Sequence, residues 1–466
     1  MDPFGRHSPL IMLPTRFRSL LMGCFALLLA VSTAAQNWAA AGLPGHPYPF
    51  RQVYADGDNA IYYAGAVDSF EQNKLLRYTG GTWEALGPID GYIESVIVYH
   101  DTLLVGGIFD YQDLELLPAH CVKWWDGNAW QNFGLFPQWS IARKLKVLNG
   151  YLYAVGGFAE YGQLETQQGV MRWNGINWEA VGDFQGTITG SLLDIVGYDD
   201  TLVVIGNTEF DQGRSIAYLD GNEWRLLGNG ILGGLAGPHT LAVYQGDLYV
   251  GGQIPITAGN PGQEIMRWNG NSFEGLGLGL QIALNNFTSF CDVRAMVEHD
   301  GLLYVGGGCN YAGGVESRGV AIWDGTGWCS VPGDVTSDNS SVYGMDFYRD
   351  TLFAATGWIV EGDSVNCAVK FVGSTYIGTC TGPLSVISHE QEEDPIRIIP
   401  QGVGLWQVTG LDNGGHMFQL IDSAGRILIQ GTVNSTQGLI EAEGLAAGAY
   451  VLRLDGRWNC HVSIVR

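Results

Sequence analysis

Side chains that could do chemistry are scattered along this sequence, and none of them forms a recognised catalytic motif. There is no Gly-x-Ser-x-Gly turn for a nucleophilic serine, no His-Glu-x-x-His zinc motif and no Cys-x-x-Cys pair. Asp56-Gly57-Asp58-Asn59 is similar to part of a calcium loop but lacks its length and its terminal glutamate. We therefore expect no catalytic residue, no metal site and no cofactor, with calcium at this turn as the alternative.

Seven aromatic and acidic residues are better placed to touch a ligand, because they fall in or beside long connections between predicted strands. They are Asp110, Tyr111, Trp139, Glu160, Tyr161, Tyr311 and Trp358. The three tyrosines each follow the first glycine of a Gly-Gly pair by five residues, and this repetition favours a structural role for them over ligand contact. The two tryptophans depart from the repeat described next, which makes them better candidates than the tyrosines for exposed ligand contacts.

The elements that position these residues come from a repeat of about 48 residues. Apolar runs that end in Gly-Gly, such as Leu103 to Gly107, alternate with Trp-Asp/Asn-Gly-x-x-Trp motifs, such as Trp125 to Trp130. The second aromatic residue of this motif recurs as Trp83, Trp130, Trp178, Trp224, Phe273, Trp328 and Tyr376. Its fixed position predicts that these side chains fill the core between neighbouring units.

Each unit is predicted to hold four antiparallel strands, A to D, with tight A–B and C–D turns such as Asn149-Gly150 and Asp126-Gly127. In the second unit we expect strands at 94–100, 102–108, 121–125 and 129–133. Seven units over residues 36–383 predict an all-β chain with a seven-bladed β-propeller. Trp38 is a candidate for an unpaired D strand that closes the ring in the last unit. The long B–C and D–A connections then share one face, called the long-loop face below.

These motifs resemble the kelch-like repeats of galactose-oxidase-type propellers, over roughly residues 38–381. Such repeats occur in enzymes and in pure interaction proteins, so the resemblance implies a fold without choosing a function. The copper site of galactose oxidase needs two histidines, two tyrosines and a cysteine on one face, and the histidines here are scattered and outside the repeat.

Residues 1–35 are predicted to be a secretory signal peptide. Arg16 and Arg18 precede an apolar run from Leu20 to Val31, and small residues follow up to Ala35. The run is too short for a membrane anchor, which needs about 20 residues. We expect no transmembrane segment, and the net charge of −24 argues against nucleic acid as a partner.

After a charged linker at 384–395, residues 396–466 are predicted to form a small β-sandwich. The stretch contains Asp422, Gly425 and Arg426 of an Asp-x-x-Gly-Arg turn, Leu445, Gly448 and Tyr450 of a Leu-x-x-Gly-x-Tyr-x-Leu motif, and a terminal Arg466. These motifs are similar to the C-terminal sorting domain of type IX (Por) secretion. However, the usual Tyr-Pro-Asn-Pro entry is present only as Ile399-Pro400-Gln401. The resemblance implies the type IX machinery as a partner and a location outside, or on the outer membrane of, a Gram-negative bacterium. A generic accessory sandwich is the alternative.

Seven of the eight cysteines lie beyond the signal peptide, in a compartment where disulfides form. Cys367 and Cys380 are placed symmetrically about Gly373-Ser374, which predicts a disulfide across a hairpin. Cys291 with Cys309 is a second candidate, with which Cys309–Cys329 competes. Cys121 and Cys460 have no evident partner.

We expect a secreted or cell-surface module that binds a glycan or a protein through the long-loop face, without enzymatic activity. The alternatives are a carbohydrate-active hydrolase or lyase that uses carboxylates on that face, and a structural adhesin component. Thr102, Thr201 and Thr351 each lie in an Asp-Thr-Leu triplet at an A–B turn. The triplet resembles an O-glycosylation motif of bacteria with type IX secretion, but ordinary turn chemistry is the favoured explanation, because Asp and Thr start hairpins well.

Overall fold

The structure is a computed structural model. It describes residues 37–43, 50–66, 75–109, 120–160, 167–210, 213–233, 237–282, 291–335, 341–356, 359–360, 363–364, 368–381, 397–402, 405–409, 415–421, 426–434, 438–442, 445, 448–454 and 458–464. The predicted signal peptide and linker lie outside these residues. Among the described residues, no helix has the length and apolar character needed to cross a membrane.

The described residues up to 371 form seven sheets of four antiparallel strands, numbered here in chain order, and sheet 4 has an added parallel strand at its edge. The first strand, β1 (Trp38–Ala40), precedes sheet 1 in the chain and is the fourth strand of sheet 7. The strands of sheets 1 to 4 are β2 (Phe50–Asp56), β3 (Ala60–Ala66), β4 (Leu76–Thr79), β5 (Thr82–Ala85); β6 (Gly91–Tyr99), β7 (Thr102–Phe109), β8 (Val122–Trp125), β9 (Trp130–Asn132); β10 (Trp139–Leu148), β11 (Tyr151–Ala159), β12 (Gln168–Trp173), β13 (Trp178–Ala180); and β14 (Asp183–Phe184), β15 (Thr187–Tyr198), β16 (Thr201–Phe210), β17 (Gly213–Asp220), β18 (Glu223–Leu226).

Sheets 5 to 7 continue the pattern, with a short 3₁₀ helix at Ile256–Ala258 and two small accessory sheets. Their strands are β19 (Pro238–Tyr244), β20 (Asp247–Gly252), β21 (Ile265–Trp268), β22 (Phe273–Gly275); β24 (Val293–His299), β25 (Leu302–Gly307), β28 (Val320–Trp323), β29 (Trp328–Ser330); and β30 (Gly344–Tyr348), β31 (Thr351–Ala355), β34 (Ala368–Phe371). The accessory strands are β23 (Leu280–Gln281), β26 (Tyr311–Ala312), β27 (Val315–Glu316), β32 (Ile359–Val360) and β33 (Asp363–Ser364). The four strands predicted for the second unit are confirmed to within about three residues.

The first full strand of each sheet, called its inner strand, contacts the inner strands of the two neighbouring sheets. The contacts run from β2 through β6, β10, β15, β19, β24 and β30, and β30 then contacts β2. The chain is therefore β-propeller-like: antiparallel sheets arranged around a common centre.

Side chains cover the hydrogen-bonding edges of several inner strands. Asp194 Oδ2 accepts the Leu241 amide of the next sheet at 2.9 Å, and Asp346 Oδ2 accepts the Ala55 amide at 2.8 Å. Ser95 Oγ accepts the amide of Leu145 in the same way at 3.0 Å. These bonds tie one sheet to the next and satisfy edge amides that have no strand partner.

The repeated tryptophans join neighbouring sheets, as the sequence predicts. In six of the seven sheets the indole N–H of the outermost full strand donates to a backbone carbonyl in or just beyond the preceding sheet, at 2.6–3.2 Å. The pairs are Trp83–Ala41, Trp130–Leu86, Trp178–Phe133, Trp224–Val181, Trp328–Leu276 and Trp38–Pro332. Sheet 5 has Phe273 at this position and makes no such bond.

The outermost strand of sheet 7 comes from the beginning of the chain. β1 pairs antiparallel with β34, with Trp38 opposite Phe371, so the predicted closing strand is confirmed. Trp38 therefore occupies the position that the sequence analysis assigned to Tyr376, and that assignment is wrong. Tyr376 instead stacks on Phe371, and its hydroxyl accepts the Leu352 amide.

The closing strand also explains why the predicted Cys367–Cys380 disulfide is wrong. Because β1 occupies the edge of β34, residues 378–381 run beside β29 of sheet 6, where the amide of Ser330 donates to the Thr379 carbonyl at 2.8 Å. This places Cys380 opposite Cys329, and these two residues form the disulfide. A second disulfide joins Cys291 to Cys309, the second candidate pair, which excludes Cys309–Cys329. Cys121 is a buried free thiol.

The C-terminal residues form two further antiparallel sheets around a core of their own. One sheet has three strands and the other four. The strands are β35 (Arg397–Gly402), β36 (Leu405–Thr409), β37 (Gly415–Ile421), β38 (Ile427–Asn434), β39 (Gly438–Glu441), β40 (Gly448–Leu454) and β41 (Trp458–Ile464). Trp406 and Ile440 of the first sheet pack with Leu420 and Leu452 of the second.

Candidate functional site

A ring of equivalent positions surrounds the centre of the seven sheets. In every sheet, the residue five positions before the end of the inner strand lines one central cavity of about 420 Å³; in sheet 7 this residue immediately precedes the strand. The members of this central ring, from sheet 1 to sheet 7, are Arg51, Glu94, Arg143, Leu193, His239, Arg294 and Tyr343. Since each inner strand starts from the D–A connection, the ring lies toward the long-loop end of the cavity.

Local backbone geometry aims most of the ring into the cavity. In sheets 2 to 6 the pairing of the first two strands skips one residue, and the skipped residue is the ring member. Glu94, for example, lies between Ile93 and Ser95, which pair with consecutive residues of β7. Such β-bulges redirect a side chain out of the alternating pattern of the strand.

Two ion pairs organise the ring. Arg143 Nη1 lies 2.8 Å from Glu94 Oε1, across the boundary of sheets 2 and 3. Arg294 Nη2 lies 2.5 Å from Asp292 Oδ2, and its guanidinium lies over the Tyr343 ring, 5.3 Å from the ring centre. Burial lowers the pKa of His239, and the charge of Arg294 lowers it further, so this imidazole is neutral at pH 7.

A second layer of charged residues lies deeper in the cavity. Lys146 Nζ is 3.2 Å from Asp194 Oδ1. Burial opposes the charged form of both groups. It lowers the pKa of Lys146, whereas Lys146, Lys144 and two backbone amides overcome burial and lower the pKa of Asp194. Burial raises the pKa of Asp346 to about 6, although the amides of Ala55 and Phe347 donate to its carboxylate.

Each carboxylate that lines the cavity is thus already engaged within the protein. Glu94 pairs with Arg143, Asp194 binds Lys146 and two amides, and Asp346 binds two amides. None is placed as a free general acid or base, so the cavity can bind and orient charged groups more readily than it can transfer protons.

A strained, buried carboxyl group lies outside the cavity lining, in the B–C connection of sheet 5. Glu264 has φ +64°, a conformation that costs energy for a residue with a Cβ, and it is fully buried. Its carboxylate accepts the Ile254 amide at 2.7 Å and the Gln263 side-chain amide at 2.5 Å. Burial raises its pKa to about 8.

The structure brings together two of the ligand-contact candidates. Trp139 is the first residue of β10 and pairs with Ala159, the neighbour of Glu160. Trp139 is 42% exposed, and Glu160 is also exposed. Tyr311 is half-buried in the accessory strand β26, paired with Gln281. Asp110, Tyr111, Tyr161 and Trp358 lie outside the described residues.

The remaining candidates fall away from the central ring. Asp56 and Asn59 bound a hairpin turn and bond to each other, and no group of three metal-ligating side chains occurs among the described residues. Thr201 Oγ1 donates a partly buried hydrogen bond to the Leu219 carbonyl, and Thr102 Oγ1 donates an exposed one to the His100 carbonyl at 3.3 Å. Thr351 begins β31 at the equivalent turn.

Of the sorting-motif residues, Arg426 is exposed before β38, Leu445 packs against the C-terminal core, and Gly448 and Tyr450 lie in β40. Asp422, Gly425 and Arg466 lie outside the described residues.

Sequence reasoning missed the central ring entirely. Its members share a position and not a residue type, so a search for recurring residues passes over them. Counting back from each A–B turn to the same strand position would have found them, because six of the seven side chains there are polar or charged.

The fold and this site together define an all-β, β-propeller-like protein with a charged central cavity. No protein family matches the sequence, and no curated protein is significantly similar to it. Among solved structures, it is similar to an extracellular domain assigned to a hybrid two-component system of B. thetaiotaomicron, with a TM-score of 0.43 and 12% identity over 90% of this chain. This chain spans 56% of that one.

Two other solved structures are similar at a greater distance. A structural genomics protein of unknown function from Bacteroides thetaiotaomicron has a TM-score of 0.36 and 14% identity, covering 69% of this chain and 90% of its own. A Trypanosoma rangeli sialidase in complex with sialic acid has a TM-score of 0.36 and 10% identity, covering 92% and 88%. Similarities this distant carry no assignment of function.

Proposed function

We propose that this protein is a secreted or surface-displayed binding module: a seven-bladed propeller with kelch-like repeats, in which the seven sheets are the blades and the central ring is the ligand site. The observation that carries the proposal is the contrast between two equivalent positions. The outer aromatic position is nearly uniform from sheet to sheet, as a packing role requires. The ring position changes from Arg to Glu, Leu, His and Tyr while remaining aimed at one cavity, which suits recognition of an asymmetric ligand.

Binding is favoured over catalysis because the carboxylates that line the cavity are committed to internal partners. A hydrolase or lyase acting there would need a carboxyl group free to exchange a proton with its substrate. Trp139, exposed at the start of β10, adds an aromatic surface at the long-loop end.

The test compares the mature chain with a ring variant. Arg294→Ala together with Tyr343→Ala removes two neighbouring ring side chains. In affinity electrophoresis, a polysaccharide or glycoprotein that retards the wild type should no longer retard this ring variant. A reducing-end assay is run on the same panel. Turnover that disappears on substitution of one Asp or Glu would replace the binding proposal with the enzyme alternative. If the ring variant still binds, the ligand site lies outside the cavity. If the wild type binds none of the ligands, the structural adhesin role is favoured.

We propose, further, that the C-terminal sheets form a sorting sandwich and that export follows a signal peptide and the type IX route. Support comes from the motif residues in β40 and from disulfides, which suit an extracytoplasmic compartment. The seven sheets use no described residue beyond Thr381, so deletion of 384–466 should leave them folded. The truncated protein should stay in the periplasm, and its release to the medium would refute the sorting role.

A further inference from the structure

We infer that the central ring selects an anionic ligand, namely the carboxylate- or sulfate-bearing end of an acidic glycan that enters from the long-loop side. This inference rests on the proposed binding role and names the class of ligand. Its basis is the charge of the cavity, its unused donors, its size and the aromatic surface beside it.

The charge of the cavity is opposite to that of the whole chain. The chain carries a net charge of −24. Five basic side chains line the cavity against three acidic ones; the basic residues are Arg51, Arg143, Lys144, Lys146 and Arg294, and the acidic ones are Glu94, Asp194 and Asp346. Counting Asp292 behind Arg294, the basic residues still outnumber the acidic ones. A basic cavity in a protein of net negative charge attracts anions to the cavity, whereas the net charge of the protein repels them.

Several donors in the cavity make no ion pair or hydrogen bond of their own within the part of the chain that the structure describes. Among the described residues, Lys144 and Arg51 have no ion-pair partner. Arg143 uses Nη1 for Glu94, but its buried Nε has no acceptor in this part of the chain. Buried donors in native proteins are nearly always satisfied, so the Arg143 Nε points to an acceptor supplied from outside, and half-buried Lys144 and exposed Arg51 are accessible to the same acceptor. Carboxylate and sulfate oxygens match guanidinium and ammonium donors best.

The size of the cavity and the exposed indole favour a glycan over a folded protein. A volume of about 420 Å³ lies in the range of small-molecule pockets, so it admits a chain end or a branch. Trp139 lies four residues before Arg143 on the same strand, about 13 Å away at the rise of an extended chain. An oligosaccharide can place an anionic unit in the ring and a sugar face on this indole, whereas an isolated small anion cannot.

The test uses four defined polymers with the mature chain: dextran, polygalacturonate, dextran sulfate and poly-glutamate. We expect binding of polygalacturonate or dextran sulfate, and the comparison of the two identifies carboxylate or sulfate as the preferred group. Binding should weaken markedly between 0.15 M and 1 M salt, as the screening length falls from about 8 Å to 3 Å. Dextran should not bind, and poly-glutamate should bind more weakly than the acidic glycan.

Lys144→Gln and Arg51→Gln test the site, because neither side chain is the ion-pair partner of a carboxylate among the described residues. In either variant Asp194 keeps Lys146 and its backbone amide donors, and Asp346 keeps its backbone amide donors. Each should weaken binding at least about tenfold, the effect of one charge-assisted hydrogen bond. Arg225→Gln is the matched control: Arg225 lies on β18, half-exposed and paired with Asp220 and Glu223, and should have no effect. Equal thermal unfolding of all variants excludes misfolding.

The outcomes separate this inference from the proposed function. Salt-insensitive binding of dextran that the double ring variant abolishes would overturn anion selection and leave the binding role intact. Poly-glutamate bound as tightly as the glycans would replace the glycan with an acidic peptide. No binding of any polyanion, or equal loss of binding in Arg225→Gln, would overturn the inference outright.

Discussion

Replacement of Gly134 by alanine tests how the sheets are joined. Gly134 has φ +80°, and a Cβ there would lie 2.6 Å from Cδ1 and 2.8 Å from Nε1 of Trp178. The indole cannot retreat freely, because its N–H donates to the Phe133 carbonyl at 2.9 Å. Positive φ costs an alanine about 1–2 kcal/mol, and overpacking adds about 1–3 kcal/mol. Gly134→Ala should therefore lower the free energy of unfolding by about 2–5 kcal/mol.

The matched control is Gly150→Ala. Gly150 has φ +81°, but nothing lies within 4 Å of its Cβ position, so only the backbone cost applies. Denaturant unfolding with unchanged slope measures both variants, and Gly134→Ala introduced beside Trp178→Leu should cost no more than Gly150→Ala. If Gly134→Ala and Gly150→Ala destabilise the wild type equally, the contact between Gly134 and Trp178 has no energetic role.

Three further predictions concern disulfides, protonation and modification. Cys329→Ser opens a link across 51 residues and should reduce stability by up to about 4 kcal/mol; peptide mapping should recover Cys329 joined to Cys380, and a Cys367–Cys380 peptide would contradict the structure. Because burial raises the pKa of Glu264 to about 8, the folded chain retains a proton that the unfolded chain releases. The free energy of unfolding should therefore fall as pH rises from about 4.5 to 8, by up to about 1.4 kcal/mol per pH unit, and Glu264→Gln should flatten this profile. Any O-glycan should be found by glycopeptide mass spectrometry on Thr102 or Thr351 and not on Thr201, because the hydroxyl of Thr201 donates a partly buried hydrogen bond to the Leu219 carbonyl whereas that of Thr102 donates an exposed one to the His100 carbonyl; a glycopeptide containing modified Thr201 would disprove this.

The repeat could be predicted from the sequence because its determinants are local. Turns such as Asn149-Gly150 fix where strands begin and end, and a tryptophan at one register marks each outer strand. The Cys380 partner could not be predicted, since it depends on which strand occupies the edge of β34. Both Trp38 and Tyr376 were assigned to that edge, although an edge accepts one strand. The central ring was missed for a related reason: it forms only when seven distant strands meet.

The strand β1 also sets the order in which the ring can be completed. Its partner β34 lies roughly 330 residues further along the chain, so Trp38–Ala40 waits unpaired until the last repeat has formed. The entropic cost of closing a loop grows only logarithmically with its length, so the pairing of β1 with β34 costs little additional free energy despite the long separation. Kinetically it comes last, and every earlier intermediate exposes two open sheet edges that can recruit a neighbouring chain. Aggregation during refolding should therefore be controlled by how quickly the two ends of the ring meet.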